Sequence, residues 1–117
     1  MTSILLKKCT KDELGVLLEQ INAFIQQRDE RPISKSKGNV DFYVSCILMD
    51  ILKRLSMKIR NKIELSCKYQ VTIRIPIFEA SALLLVCNWE LRFLNAYQKN
   101  VLMKTRNSID QQLTNLN

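Results

Sequence analysis

From Asn39 to Asn117 only one residue, Pro76, is a glycine or a proline. The whole chain holds two of each: Gly15, Gly38, Pro32 and Pro76. Tight turns draw on these residues for backbone shapes that other side chains resist. So few breakers restrict the chain to a small number of long elements, and hydrophobic spacing makes all but one of them helices.

The exception is "KYQVTIRIPIF", Lys68 to Phe78. Tyr69, Val71, Ile73, Ile75 and Ile77 alternate with Gln70, Thr72, Arg74 and Pro76, the period of a half-buried strand. A strand cannot satisfy its own backbone donors and acceptors, so residues 69–77 need a partner. Either "SILLKK", residues 3–8, forms a second short strand within the chain, or two copies of residues 69–77 pair across a dimer axis. Ile4, Leu5 and Leu6 are consecutive and do not alternate. That favours a homodimer with Tyr69, Val71, Ile73 and Ile75 in its strand, and leaves internal pairing as the competitor.

Three helices surround this segment. In "CTKDEL", Thr10 stands three residues before Glu13, the spacing of a capping box. Leu14, Leu17, Leu18, Ile21, Phe24 and Ile25 then form one apolar stripe, which predicts a helix over 11–28. The polar connector "RDERPISKSKGN" follows, with Asn39 or Asp41 as the next cap. The second helix is predicted over 40–66, about 40 Å long. Leu48, Leu52, Leu55, Ile59 and Ile63 line one side of it; Val44, Ile47 and Ile51 line a second side in its first half only. The first half should therefore be buried on two sides and the second half on one. The third helix is predicted over 78–104, with Ala80, Leu84, Cys87, Leu91, Leu94 and Val101 inward. Residues 104–117 read as a polar C-terminal tail or a frayed helix end. The expected fold class is mainly α: one domain, 1–117, of three helices with a single β segment between the second and third. Leu17, Ile21, Phe24, Leu52, Leu55, Ile59, Leu84, Leu91 and Leu94 are the expected core.

Length and composition agree with one globular core: 117 residues, 47% hydrophobic and 25% charged. The longest mainly apolar uncharged run, Ala80 to Trp89, is about half of a bilayer span, so no membrane partner is expected. "MTSILLKKC" has too short an apolar core for a signal peptide, and its lysines follow that core, which makes a cytoplasmic location the expectation. Cys9, Cys46, Cys67 and Cys87 include no C-x-x-C pair, and histidine is absent, so neither a zinc site nor any cofactor is expected. Cys46 and Cys87 fall in apolar helical segments and are expected to be buried thiols.

The missing histidine also removes the commonest general base and triad member. Gly15 and Gly38 are too far apart for a phosphate loop. Asp41, Asp50, Glu64, Glu79 and Glu90 never stand three or four apart, so no helix presents a local acid pair. No catalytic set and no small-molecule substrate are indicated. The net charge is +7, and residues 51–117 carry all of it, with eleven basic and four acidic side chains. Its densest part holds Lys53, Arg54, Lys58, Arg60 and Lys62. Arg54, Lys58 and Lys62 repeat every four residues, a cation row that could follow a phosphate backbone, with Arg92, Lys99, Lys104 and Arg106 as possible additions. No aromatic side chain interleaves them, as single-strand or RNA binding would require. The expectation is a non-enzymatic, homodimeric interaction or assembly module acting through helical faces; the alternative is a nucleic-acid-binding accessory or regulatory protein.

Overall fold

The capping pattern at Thr10 forms as the spacing predicts. The Glu13 N–H donates to Thr10 Oγ1 at 3.1 Å, and the Thr10 N–H donates to Glu13 Oε1 at 3.0 Å. Strand thus passes into helix with no intervening loop. A computed structural model of the chain describes residues 3–30, 40–66, 68–89 and 94–116. Its elements are β1 (Ser3–Thr10), α1 (Lys11–Glu30), α2 (Val40–Leu65), β2 (Gln70–Pro76), α3 (Ile77–Cys87) and α4 (Ala96–Thr114).

β2 finds its partner within the chain. It runs antiparallel to β1, with Ile4 opposite Ile75, Leu5 opposite Arg74 and Leu6 opposite Ile73. A bulge in β1 then shifts the pairing to Cys9 opposite Val71. Lys8 absorbs the extra residue in the left-handed region, with φ 54°. The inner face carries Ile4, Leu6, Val71, Ile73 and Ile75, all buried against the chain's own helices. Internal pairing with residues 3–8, the competitor to pairing across a dimer axis, is the one the fold contains. Tyr69 precedes the strand and is 81% exposed.

The outer edge of β1 is closed by a side chain. Gln112 on α4 accepts from the Leu5 N–H through Oε1 at 2.9 Å and donates through Nε2 to the Leu5 carbonyl at 2.8 Å. A primary amide has the same donor and acceptor as a peptide group, so Gln112 replaces one residue of a third strand.

Among the described residues four helices are present where three were predicted. α3 ends at Cys87, and the N–H of Asn88 returns to the Leu84 carbonyl at 3.1 Å. α4 begins after Asn95, whose Oδ1 accepts from the Gln98 N–H at 2.8 Å while the Gln98 side chain accepts from the Asn95 N–H at 3.0 Å. An unbroken helix over 78–104 would be about 40 Å long and could bury only part of itself on this body. The break lets α4 pack on β1, α1 and α3. α4 also takes in most of the segment expected as a tail: Ile109 is 0% exposed, and the helix continues to Thr114. Gln20 on α1 fastens the end of α3, donating through Nε2 to the Val86 and Trp89 carbonyls at 3.1 Å each. Trp89 meets Phe24 edge to face at 5.4 Å.

The core is centred on the sheet, α1, the second half of α2, α3 and α4. Leu17, Ile21, Phe24, Leu52, Leu55 and Ile59 are buried as expected. Leu84 is only partly buried, because α3 turns Leu83 and Val86 inward beside Ala80, and Leu94, which precedes α4, is also only partly buried. Leu91 lies outside the described residues.

Candidate interaction surfaces

The burial of α2 is the reverse of the one its stripes suggest. Among its described residues, none before Leu52 is fully buried. Val44 is 56% exposed and Ile47 61% exposed, while Ile51 is half-buried. In these first three turns Leu48, Met49 and Ile51 pack against the core and are partly buried, while Val44 and Ile47 face away from it. Periodicity identified an apolar face there but could not say whether anything within the chain covers it.

The predicted cation row is partly neutralised. Lys58 Nζ donates to Glu79 Oε1 at 2.7 Å, and Glu79 is buried in the first turn of α3. Arg54 Nε lies 3.3 Å from Asp50 Oδ2 one turn back on the same helix. Among the described residues no ion pair involves Lys53, Arg60 or Lys62. The α4 cations do not extend the row. Lys104 pairs with Glu13 at 2.9 Å, and Arg106 donates to Asn88 Oδ1 at 3.4 Å. Arg92 lies outside the described residues. Partial burial pushes Glu13 up, but hydrogen bonds from Thr10 and Lys104 outweigh it and hold the carboxyl below its usual value. The hydrogen bond to Glu13 raises the Lys104 ammonium in turn.

An open cleft of about 620 Å³ lies between the last turns of α2 and the first residues of β2. Its lining includes Lys58, Lys62, Leu65, Lys68, Val71 and Thr72. Three successive β2 residues line it and no β1 residue does, so it runs along the edge of β2 that β1 leaves open. Of the predicted strand residues, Val71 reaches this cleft, while Ile73 and Ile75 face the core. Sequence reasoning missed Glu79 as the partner of Lys58 and Gln112 as the cap of β1. No local spacing connects either pair. The Asn95–Gln98 capping box did have a local signal, the N-x-x-Q spacing.

The thiols divide by environment. Cys46, expected to be buried, is exposed on the first half of α2. Cys87 is buried, and desolvation pushes its thiol up to about 12. Burial, followed by the nearby Glu13 carboxylate, raises Cys9 as well. Cys67 lies outside the described residues. Among the described residues no group of three potential metal ligands forms, and no helix is long and apolar enough to cross a membrane. Comparisons with family models, curated proteins and solved structures found no match for this chain.

Proposed function

We propose that the protein is a non-enzymatic assembly module that forms a homodimer through the exposed apolar face of α2. The observation that carries this reading is the exposed apolar surface at Val44, Ile47 and Met57 along α2. Ile47, Asp50, Arg54, Met57 and Asn61 follow one another at steps of three and four, the heptad spacing of a helix seam. An antiparallel pair of α2 helices, with its two-fold axis level with Leu52, sets Ile47 on Met57 of the second copy. The same register sets Asp50 on Arg54 of the second copy, and Arg54 on Asp50. The seam is thus complementary to itself in both apolarity and charge, as an interface between identical chains must be.

Sedimentation equilibrium at micromolar concentration tests it. The expected mass approaches twice 13.7 kDa. Ile47→Glu should shift the protein to monomer, and so should Arg54→Asp. Adding Asp50→Arg to Arg54→Asp swaps both charges and should restore the dimer. A wild-type mass that stays at 13.7 kDa over the whole accessible range refutes the reading.

Nucleic-acid contact along Lys53, Arg54, Lys58, Arg60 and Lys62 is the second reading. Lys58 and Arg54 already have carboxylate partners, which leaves a shorter unpaired row than the sequence suggested. A gel shift that weakens steeply with salt and disappears in the Arg60→Gln/Lys62→Gln variant would favour it.

A further inference from the structure

The two edges of the sheet are treated differently. On β1, Leu5 turns its N–H and C=O outward to Gln112. In an antiparallel ladder, a residue whose backbone groups point outward belongs to a pair that exchanges no bonds with its opposite number. Leu5 stands opposite Arg74, so the Arg74 N–H and C=O also point away from β1. Alternation gives Thr72 the same direction. Pro76 fits this assignment: it lies opposite Ser3 in the same phase, where no N–H is required for the ladder. Among the described residues, no backbone bond outside the ladder involves Thr72 or Arg74.

That open edge adjoins the cleft beside α2. Lys62 and Lys68 on its lining are both exposed, Leu65 is exposed at its rim, and Arg74 stands further along the strand. Glu79 is already held by Lys58 and offsets none of this charge. An edge with free backbone groups accepts an extended chain, and the neighbouring side chains select which one. Here the selection is electrostatic. We infer that the outer edge of β2 binds an extended acidic peptide segment as a third strand, with its backbone on Thr72 and Arg74 and its carboxylates on Lys62 and Lys68. A second copy of this chain is a poor occupant, because it would bring the same cations against each other. The cleft meets the α2 seam at Asn61, but the groups the inference uses, Thr72, Arg74, Lys62 and Lys68, lie outside that seam, so the monomeric Ile47→Glu variant should bind the same peptide.

Fluorescence anisotropy with labelled ten-residue peptides tests it on the full chain. The probe alternates Glu with Val and Thr; one control replaces Glu by Lys, and two more carry N-methyl groups on alternate residues, one peptide for each backbone edge. The acidic probe should bind, the lysine control should not, and one of the two N-methyl phases should lose about tenfold or more in affinity. Lys62→Glu/Lys68→Glu should weaken the acidic probe by a similar factor. Thr72→Pro removes an outward N–H while leaving the ladder to β1 intact, and should weaken it too. If that variant fails to fold, the N-methyl series still decides. Equal binding of both N-methyl phases and the unmodified probe would show charge attraction without strand addition and overturn the inference. Absence of binding at millimolar probe would overturn it, as would tighter binding of a single-stranded oligonucleotide that Lys62→Glu/Lys68→Glu abolishes.

Discussion

Ile109 measures how far the core extends along the chain. It sits in a stretch whose neighbours Asp110, Gln111 and Gln112 are polar, yet it is 0% exposed. Ile109→Ala deletes three carbons, and at about 0.8 kcal/mol each the lost transfer energy is about 2.4 kcal/mol. Failure of α1 and β1 to close over the gap adds a cavity cost, for a total of about 2–5 kcal/mol. For a chain of this size each kilocalorie lowers Tm by about 4 °C, so a loss of roughly 10 °C or more is expected. Urea denaturation followed by far-UV circular dichroism and by Trp89 fluorescence measures it; the Trp89 ring rests on Phe24, so its emission reports the core. Asp110→Ala, at the exposed neighbouring position, serves as the control and should cost less than about 0.5 kcal/mol. A loss at Ile109 as small as that of the control would mean that α4 frays before Ile109 and would refute this account of its packing.

Lys58→Met strands the Glu79 carboxylate in a buried site and should cost about 1–3 kcal/mol; Lys58→Met/Glu79→Gln should recover most of that, and a double variant no better than the single one would show that the pair is not coupled. Lys8→Gly should be neutral or stabilising and Lys8→Val destabilising by about 1–2 kcal/mol, because the bulge holds Lys8 at φ 54°; equal effects in chemical denaturation would contradict a left-handed Lys8. Alkylation at pH 8.5 followed by peptide mass mapping should modify exposed Cys46 well ahead of Cys87, whose thiol is pushed up to about 12; comparable rates would place Cys87 at the surface. The Glu13–Lys104 pair should contribute less than about 1 kcal/mol, since Lys104 is largely exposed. The depressed carboxyl of Glu13 makes its share present above its ordinary value and lost as the pH falls through its folded value, whereas the raised Lys104 keeps its share below its ordinary value and loses it as the pH rises beyond that. Glu13→Gln/Lys104→Met should therefore lower stability slightly, by less than about 1 kcal/mol, around neutral pH and leave it unchanged at both pH extremes, where the pair is already lost.

Local pattern determined the features that need only neighbouring residues. The Thr10–Glu13 spacing placed the start of α1, and the alternation from Val71 to Ile75 marked β2 amid helices. The leucine and isoleucine stripe of α2 picked out Leu52, Leu55 and Ile59 as core. The structure then chose between partners that the pattern could not rank. A strand states that it needs an edge but not which one, and the pairing with β1 relies on a bulge at Lys8 that no repeat announces. The second stripe of α2 has the same spacing whether or not another element lies over it. Val44 and Ile47 were therefore read as buried, although they face away from the core. At Ile109 the spacing errs in the opposite direction, because its polar neighbours conceal a packing surface that exists only once α3 ends at Cys87 and α4 packs on β1, α1 and α3. The candidate surfaces follow the same division. The cations between Lys53 and Lys62 were visible as a row, but their availability depended on Glu79 and Asp50, and only the fold brings the Glu79 carboxylate, twenty-one residues away, within 2.7 Å of Lys58. Burial and pairing depend on contacts between distant segments, and those contacts are set by the packing of the whole chain.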